Sequence, residues 1–529
     1  MSIQPVLIAG HWREARATET FQAENPALGQ KLPDQYPISD WADCDAALTA
    51  AMAAAGELRT ISVEKIAAFL TKFAERIEKR AAELVEMAHQ ESGLPKAPRL
   101  GDVELPRTTG QLRQAAAAVL EGSWALPTID SKANIRSVLG PIGPVLVFGP
   151  NNFPFAFNSI AGGDFAAAIA AGNPVIAKAN SSHPGTSRLL AEEAFAALKE
   201  SGLPLGTVQL IYRTGHADGE KLVADPRAGA TAYTGSRNAG LKLKNAADRA
   251  GKPMYAELSS VNPLVILPGA LAERGAKIAE EFSGSCLMGS GQFCTNPGFV
   301  VLIAGDSAEQ FIAAVKQRFD AATPAPLLSS GVARALHASV QTLVAAGAQL
   351  VTGGQPVAGP GYRYVNTLLR VSGADFLKAP EKLQTEAFGN ESLLVVARDL
   401  PEVCAILGHV EGSLTGCIYS DTRGSDDALH AEIEPRLRVK VGRLINDKMP
   451  TGVAVSPAMN HGGPYPATGH PGFTAVGIPA SMRRFGALYC YDNVRAPRLP
   501  AALRDQNPNG KMWRLIDGQW SQGNLGAQP

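Results

Sequence analysis

The segment SGQFCTNPGF, residues 290–299, places a cysteine among glycines and polar side chains. Glycines on both sides let a ligand approach the backbone closely, a setting in which Cys294 could act as a nucleophile. A free thiol with a pKa of about 8.5 is only slightly ionised at neutral pH, so it requires a base, a cation or a helix dipole. The alternative is a small buried apolar residue, as most unpaired cysteines are. The polar neighbours favour the catalytic role.

Two polar side chains at the ends of predicted strands supply groups that a catalytic thiol requires. Glu257, in PMYAEL, is the candidate general base, with a capping or surface carboxylate as the alternative. Asn152 follows the strand PVLVFG and offers a neutral amide donor for an oxyanion, with a turn residue as the alternative. Cys294, Glu257 and Asn152 form the predicted catalytic set.

A second group of residues suits a nucleotide cofactor. Lys178 closes the strand PVIAK and precedes ANSSHPGTS, a pattern that favours contact with a ribose or phosphate. In YTGS, Gly235 and Ser236 lead into a helix, so their amides could hold a pyrophosphate, although this pattern alone is weak. No GxGxxG follows any strand. A bound dinucleotide would therefore lack its usual fingerprint.

These residues require elements that bring strand ends together. Residues 61–120 have apolar side chains at helical spacing, which predicts covering helices. From about residue 142, short apolar runs alternate with Ala-rich helical stretches, the pattern of βαβ units around a parallel sheet. A second α/β region begins near residue 266. The predicted fold class is α/β, with two lobes and a cleft between them.

Composition limits the partners. The chain has 529 residues, and its 49 Lys plus Arg balance 49 Asp plus Glu, which argues against nucleic acid or an acidic membrane surface. No export leader or membrane-spanning stretch is evident, so we expect a cytoplasmic protein that acts on a small molecule. The six cysteines include no CxxC pair, which argues against disulfides. His461 and His470 lie in a Gly/Pro loop without acidic or thiol companions in the sequence, so no metal site is predicted.

Six motifs in order, FGPNNFP, VIAKANSSHPGTS, YTGS, AELS, GQFCTNPG and EAFGNES, resemble those of the aldehyde dehydrogenase superfamily. The resemblance extends from about residue 5 to residue 500. Within the superfamily, GQFCTNPG and HGGPYPAT look most like the branch that contains α-ketoglutaric semialdehyde (2,5-dioxovalerate) dehydrogenases and an NADP-specific fatty aldehyde dehydrogenase. The resemblance implies oxidation of an aldehyde to a carboxylic acid.

The same resemblance implies a fold with a parallel-sheet cofactor domain, an α/β catalytic domain and a small oligomerisation arm. It also implies a homodimer or homotetramer. The implied divisions are an NAD(P)-binding domain over 1–122 and 142–265, with 466–485 returning to it, a catalytic domain over 266–465, an arm formed by 123–141 and 486–500, and a C-terminal extension over 501–529.

The resemblance also assigns a role to each matching residue. Cys294 would attack the aldehyde carbon, Asn152 would hold the oxyanion, and Glu257 would activate water to hydrolyse the thioester. The implied cofactor contacts are Lys178 and Ser181 at the adenosine ribose, Arg213 near its 2′-position, Gly235 and Ser236 at the pyrophosphate, and Glu386 and Phe388 at the nicotinamide riboside. The implied substrate contacts are Phe155, Asn158, Phe293 and His461.

Departures from the superfamily pattern bear on cofactor and substrate. Ser181 stands where NAD-selective relatives often carry a glutamate, which favours NADP with NAD tolerated, and Arg213 could pair with the 2′-phosphate. Ser259 and Ser260 replace two glycines after the base, and Asn390 replaces a common proline. α-Ketoglutaric semialdehyde is the favoured substrate, with an aliphatic or fatty aldehyde as the alternative. From another class, a cofactor-free thiol hydrolase using Cys294, Glu257 and Lys178 stays open.

Overall fold

The computed structural model describes residues 3–526. The outermost residues of the predicted segments 1–122 and 501–529 lie outside the described residues. Over the described range, no helix is both long enough and apolar enough to cross a membrane.

The first α/β unit contains a seven-stranded sheet and its covering helices. The strands β1–β13 span Val6–Ile8, His11–Arg13, Thr20–Phe21, Glu24–Asn25, Gln30–Lys31, Tyr36–Pro37, Thr128–Asp130, Ile135–Pro141, Val145–Phe148, Val175–Lys178, Val208–Ile211, Ala230–Thr234 and Met254–Glu257. The helices α1–α8 span Trp41–Leu58, Val63–Lys79, Ala81–Ser92, Leu105–Glu121, Gly163–Ala170, Pro184–Ser201, His216–Ala224 and Arg237–Arg249, and a π-helical segment spans Lys96–Glu104.

The order of strands in this sheet is β13-β12-β9-β10-β11-β1-β2. The strands from β13 to β11 are mutually parallel, whereas β1 and β2 add an antiparallel edge. All four residues of β9, VLVF, are buried, as expected for a strand covered by helices on both faces. The chain runs from β9 towards β10 on one side and from β12 towards β13 on the other. The carboxyl ends of β9 and β12 therefore flank a topological switch point, where such sheets bind ligands.

The covering helices follow the predicted periodicity. In α2, the buried face includes Ile66, Phe69, Phe73 and Ile77, which recur at intervals of three and four residues. Phe69 and Phe73 contact Phe165 of α5, with ring centroids 6.4 and 5.9 Å apart. These contacts place the α2 face against the interior of the first unit, so the helices form an outer layer over the first sheet.

The second α/β unit also contains a seven-stranded sheet, with the order β16-β17-β18-β15-β14-β19-β20. Strands β14–β20 span Pro263–Ile266, Phe299–Ile303, Gln349–Thr352, Thr367–Ser372, Glu391–Ala397, Ser413–Tyr419 and Val441–Asn446. Helices α9–α14 span Pro268–Leu287, Asp306–Ala321, Ser330–Ala345, Gly373–Phe376, Leu400–His409 and Asp427–Arg438. The sheet is parallel except for its edge strand β16. The predicted α/β fold class is confirmed, but the second unit begins at Pro263, before the predicted boundary at 265/266.

A third sheet has five strands in the order β21-β8-β7-β22-β23. After the short helix α15, Ala480–Arg483, strands β21–β23 span Gly486–Asp492, Arg514–Ile516 and Gln519–Ser521. The sequence predicted a separate C-terminal extension, but β22 pairs with β7, and the side chain of Arg514 is buried. The last described segment is therefore part of this five-stranded sheet.

Short 3₁₀ turns complete the described elements, at Ser123–Ala125, Leu205–Thr207, Met288–Gly291, Ala496–Arg498 and Ala501–Leu503. The turn at Met288–Gly291 leads into the cysteine segment, and β15 follows it. The thiol therefore lies at the amino end of the second sheet. Glu257 and Asn152 follow strands of the first sheet, so the two sheets meet across a common cleft.

Candidate active site

The backbone before Cys294 is held in a conformation that glycine favours. Gly289, Ser290 and Gly291 all have positive φ values, of 55°, 55° and 67°. A Cβ added to Gly291 would lie 1.9 Å from the Gly389 carbonyl oxygen, so this position excludes any side chain. The glycine thus allows the cysteine segment to pack directly on the loop that precedes β18.

Polar contacts then fix the segment. The Gln292 side chain accepts a hydrogen bond from Leu328 N (2.8 Å) and donates one to Gly289 O (3.0 Å). The Asn262 amide donates to the carbonyl oxygens of Cys294 and Asn296, at 2.9 Å each. Because both sides of the thiol are tied to the second unit, the direction of the Cys294 side chain is set by the surrounding backbone.

The thiol lies beside an imidazole and a carboxylate. His461 Nε2 is 3.3 Å from Cys294 Sγ and 3.3 Å from Glu257 Oε2. The His461 backbone N–H donates to Thr474 Oγ1 (3.0 Å), and Glu257 forms an isolated antiparallel bridge with Thr468. Both side chains are almost completely buried. Three groups from distant parts of the sequence thus converge on one point.

The surroundings of Cys294 keep the thiol protonated at rest. Burial raises its pKa well above the usual value, and the nearby Glu257 carboxylate raises it further. Arg107 opposes these effects by its positive charge. A protonated thiol is a weak nucleophile, so a neighbouring base is needed to remove the proton as the sulfur attacks. His461 Nε2 is placed to do this.

The prediction that His461 lacks acidic and thiol companions is wrong. The sulfur of Cys294, a carboxylate oxygen of Glu257 and a ring nitrogen of His461 all lie within 4.8 Å of one another. Thiolate, imidazole and carboxylate are the ligand types that bind zinc. Sequence distance concealed this arrangement, because the loop that carries His461 follows β20 and returns to the first sheet.

Asn152 lies against the same segment. Its Nδ2 donates to Gln292 O at 3.0 Å, and its own backbone oxygen accepts from Arg99 (3.0 Å). An amide nitrogen carries two hydrogens, so one remains for another acceptor after the bond to Gln292. The structure therefore places an amide donor next to the backbone of the reactive cysteine.

A cleft of about 350 Å³ connects Cys294 and Glu257 with the switch point of the first sheet. Its walls are formed by Pro150, Asn151, Asn152, Thr234, Gly235, Ser236, Glu257, Leu258, Ser260, Cys294, Ser329, Gly331, Val332, Ala335, Glu386, Phe388 and Leu414. The predicted residues Gly235, Ser236, Glu386 and Phe388 thus share one cavity with the thiol. Its size is typical of small-molecule and cofactor sites.

The residues of this cleft fit a dinucleotide. Ser236 is the N-cap of α8, so unpaired backbone N–H groups and the positive end of the helix dipole face the switch point. Glu386 accepts from Ser260 N at 3.3 Å, and its carboxylate has further acceptor capacity for ribose hydroxyls. Burial raises the pKa of Glu386 to about 8. Groups suited to a phosphate and to a ribose therefore line the same cleft.

Lys178 and Arg213 are two cations at the carboxyl ends of the neighbouring strands β10 and β11. Lys178 pairs in register with Ile211, and Arg213 follows two residues later. Burial, assisted by the nearby positive charge of Arg213, lowers the pKa of Lys178 to about 8. Arg213 is exposed, and Ser181 is half-buried. None of these three residues lines the cleft around the thiol, so they extend the candidate cofactor region beyond it.

The substitutions that depart from the superfamily pattern have clear partners. Ser260 Oγ donates to Asn262 Oδ1 (2.8 Å) and accepts from Leu414 N (2.9 Å). Asn390 Nδ2 donates to Tyr364 O (2.8 Å) and Asn366 Oδ1 (2.7 Å). Ser260 therefore joins the segment that carries Glu257 to β19, and Asn390 anchors the loop that carries Phe388.

Two predicted substrate contacts are wrong. Phe155 is fully buried in the core of the first unit, because its backbone N–H is held by Glu104 (2.8 Å). Asn158 is also buried, and its amide donates to Pro154 O (2.8 Å) and Ser187 Oγ (3.0 Å). The neighbours Phe153 and Phe157 face the site instead. They pack in an apolar cluster with Phe293.

That cluster forms the wall beside the thiol. The ring of Phe153 lies 5.1 Å from that of Phe157 and 5.5 Å from that of Phe293, both edge to face. The ring of Phe157 lies 5.8 Å from that of His461. The sequence analysis missed Phe153 and Phe157, although PNNFPFAFN offered three phenylalanines and only the buried one was chosen.

Comparisons with known proteins agree with this geometry. The model of the aldehyde dehydrogenase family matches residues 12–457. The chain is 36% identical to alpha-ketoglutaric semialdehyde dehydrogenase 2 of Azospirillum brasilense, over 98% of this chain and 100% of that protein. It is also 36% identical to alpha-ketoglutaric semialdehyde dehydrogenase of Acinetobacter baylyi, over 96% and 97% of the two chains.

The fold is shared with solved structures. A 1-pyrroline-5-carboxylate dehydrogenase from Thermus with bound NAD superposes with a TM-score of 0.80, at 23% identity and over 92% of each chain. The resemblance seen in the sequence motifs is confirmed, and the thiol hydrolase alternative is set aside. The chain therefore belongs to the aldehyde dehydrogenase family and is an NAD(P)-dependent enzyme that oxidises an aldehyde.

Proposed function

We propose that this aldehyde dehydrogenase converts α-ketoglutaric semialdehyde to 2-oxoglutarate. The observation that carries the substrate assignment is the similarity, over nearly the whole chain, to two enzymes named for that aldehyde. The thiol–imidazole–carboxylate cluster at the end of the cleft supports the chemistry.

The reaction begins with attack of Cys294 Sγ on the aldehyde carbon. His461 Nε2, 3.3 Å from the sulfur, takes the thiol proton while the carbon–sulfur bond forms. The carbonyl electron pair moves to oxygen, and the remaining N–H of Asn152, with the backbone N–H of Cys294, holds the oxyanion. The product of this step is a thiohemiacetal on Cys294.

NAD(P), when bound, supplies the hydride acceptor that converts the thiohemiacetal to a thioester. Glu257 then removes a proton from water, which attacks the thioester carbon. The carbon–sulfur bond breaks, the acid leaves, and the thiol is restored with the proton that the site retained. Glu257 suits this second role because its carboxylate lines the same cleft as Cys294, so one water molecule in that cleft can contact both groups.

The cofactor preference that we propose is NADP over NAD. Lys178 and Arg213 concentrate positive charge at adjacent strand ends, and the hydroxyl of Ser181 presents no repulsion to a phosphate. Arg213→Ala should lower the ratio of kcat/KM for NADP to that for NAD about tenfold or more. Arg249→Ala, an exposed change on the same domain, is the matched control. An unchanged ratio in Arg213→Ala would remove the phosphate assignment.

The competing substrate class is a long aliphatic or fatty aldehyde. The apolar cluster that contains Phe153, Phe157 and Phe293 favours it, because these rings form the wall next to the thiol. The test is a panel of aldehydes that includes α-ketoglutaric semialdehyde and decanal, each assayed with both cofactors. The proposal expects the highest kcat/KM with the keto acid. A clear preference for decanal would overturn it.

We also propose that the five-stranded sheet is an arm that contacts a second copy of the chain. On this sheet Leu488 is 69% and Ile135 is 39% exposed, although both are apolar. Sedimentation at equilibrium should give a homodimer or homotetramer. A monomer at micromolar concentration would contradict the arm assignment.

A further inference from the structure

Arg107, in the first turn of α4, is a cation beside the active site that lacks an internal partner. Its Nε and Nη2 are buried and make no hydrogen bond to any residue between 3 and 526. The same range offers its guanidinium no carboxylate within ion-pair distance. A buried guanidinium without a counterion is costly to keep, and burial lowers the pKa of Arg107. Such a group suits a ligand that brings negative charge.

Its position relates it to the aldehyde site. The Arg107 Cζ lies 5.1 Å from the ring centroid of Phe157 and 5.8 Å from that of Phe153. Phe157 in turn lies 5.8 Å from the His461 ring, so the guanidinium is within about 11 Å of that ring. Arg107 therefore lies beside the aromatic rings near the thiol, close enough for its charge to act on Cys294.

Two other arginines near the site are already occupied. Arg99 forms an ion pair with Glu104 and donates to Asn152 O at 3.0 Å. Arg443 donates to Pro450 O at 2.8 Å and to Gly452 O at 3.3 Å, which holds the loop after β20. Arg107 differs from both because no residue between 3 and 526 accepts a hydrogen bond from its buried Nε and Nη2.

We propose that Arg107 binds the carboxylate of the substrate, and so selects aldehydes that carry an acid at the far end. This inference rests on the proposed function and adds the group that recognises its substrate. In α-ketoglutaric semialdehyde, four carbon–carbon bonds of about 1.5 Å and a hydrogen bond of about 2.9 Å together reach roughly 8 to 9 Å. That reach falls within the upper limit of about 11 Å between the guanidinium and the His461 ring.

The geometry also explains how an acidic substrate is accepted by an aromatic wall. Phe153 and Phe157 pack against the methylene carbons of a bound aldehyde, while the guanidinium fork makes two parallel bonds to the carboxylate. The ring faces further stabilise the cation before substrate arrives. An uncharged aldehyde of the same length would contact Phe153 and Phe157 but would form no ion pair with the Arg107 guanidinium.

The test compares acid and uncharged aldehydes of equal length in Arg107→Met. The measured quantity is the ratio of kcat/KM for α-ketoglutaric semialdehyde to that for pentanal. Removing one partner of a buried charged pair should lower this ratio by roughly 30-fold to 1,000-fold. Arg107→Lys keeps the charge but cannot form the bidentate pair, so its ratio should be intermediate.

The matched control is Arg113→Met, on the same helix two turns further along. Arg113 pairs with Glu78 at the surface, so this change removes one positive charge without touching the site. Its ratio should equal that of the unaltered enzyme. A melting curve for each variant separates loss of binding from loss of folding, and Arg107→Lys carries the test if Arg107→Met does not fold.

The outcomes distinguish this inference from the proposed function. If the unaltered enzyme prefers α-ketoglutaric semialdehyde but Arg107→Met keeps the same ratio, the carboxylate role of Arg107 is overturned and the substrate stands. If the unaltered enzyme prefers succinic semialdehyde over both α-ketoglutaric semialdehyde and butanal, and its preference for the acid over butanal collapses in Arg107→Met, the carboxylate role of Arg107 stands and the substrate assignment is overturned. If the unaltered enzyme prefers the uncharged aldehydes throughout, both fall.

Discussion

Replacing His461 with asparagine should slow formation of the covalent intermediate more than any later step. In the unaltered enzyme, His461 Nε2 is 3.3 Å from the sulfur and is positioned to accept its proton. Burial and the Glu257 carboxylate raise the pKa of Cys294, so the sulfur does not ionise readily without that base. Asparagine retains a polar side chain at this position but cannot accept the proton.

The size of the effect follows from the ionisation of the thiol. A thiol with a pKa of about 8.5 is roughly 10% ionised at pH 7.5, and each further pKa unit lowers that fraction about tenfold. Because the pKa of Cys294 is raised, the unassisted thiolate is scarce at this pH. Loss of a positioned general base costs about 10² to 10⁴ in rate. We expect His461→Asn to lower the rate of the NAD(P)H burst about 100-fold to 1,000-fold at pH 7.5.

The rate of the NAD(P)H burst in His461→Asn should rise with pH. A raised thiol pKa means that the thiolate forms only as pH rises, so the His461→Asn burst should increase about tenfold per pH unit between 7 and 9. The unaltered enzyme should show a flatter profile, because the imidazole removes the proton during attack. Stopped-flow absorbance at 340 nm, the NAD(P)H band, measures the burst, and alkylation by iodoacetamide independently reports thiol reactivity.

His470→Asn is the matched control. This histidine lies in the same loop, but its ring packs edge to face on Tyr255, with centroids 4.8 Å apart. Its replacement should leave both the burst and the alkylation rate within a factor of about three of the unaltered values. The proposed role would be refuted if His461→Asn also stayed within that factor at pH 7.5.

Three further predictions concern the cofactor cations, the oxyanion and the cysteine segment. Because the pKa of Lys178 is lowered to about 8, its positive charge is present below that pH and lost above it, so KM for NADP should rise between pH 7 and 9.5 more than KM for NAD. Equal rises would argue against a phosphate contact. Asn152→Ala should lower kcat about 10²-fold to 10³-fold in steady-state assays, and a loss below threefold would contradict the oxyanion role. Gly291→Ala should reduce the free energy of unfolding by about 2 kcal/mol or more in urea titrations, because of its positive φ and the contact with Gly389 O. Gly284→Ala, in open space on α9, should not, and equal stability of the two variants would refute the packing explanation.

The presence of two α/β units could be predicted from the sequence because short local patterns indicate their strands and helices. Runs such as VLVF and VIAK are short, apolar and flanked by turn residues, so they indicate buried parallel strands. The contribution of β22 to the five-stranded sheet could not be predicted in this way. It depends on pairing with β7, nearly four hundred residues earlier, and the segment itself reads as polar.

The candidate site likewise contains residues that could be predicted from the sequence and residues that could not. Glu257 and Asn152 stand at strand ends and Cys294 lies in a recognisable Gly-rich segment, so the sequence analysis grouped them as one catalytic set. The contact between His461 and both other catalytic groups depends on the path of a Gly/Pro loop, which periodicity does not describe. Arg107 was hidden in a helix assigned only a covering role, because an unpaired buried guanidinium is visible only when its surroundings are known.

The choice of Phe155 as a substrate contact shows that the sequence also does not tell which of several neighbouring side chains faces the site. PNNFPFAFN contains three phenylalanines at alternate positions, and the sequence does not say which face of this turn meets the cleft. The bonds from Phe155 N and Ala156 N to Glu104 settle the direction, at 2.8 and 3.0 Å. They turn Phe155 into the core and leave Phe153 and Phe157 beside the thiol.

The most direct measurement is mass spectrometry of Glu257→Gln after mixing with α-ketoglutaric semialdehyde and NADP. Without the carboxylate that activates water, one equivalent of NADPH should form and the acyl group should stay attached. A proteolytic peptide that contains Cys294 should then carry the mass of the 2-oxoglutaryl group, and Cys294→Ala should carry none. Steady turnover by Glu257→Gln, or an adduct on a different cysteine, would contradict covalent catalysis at this site.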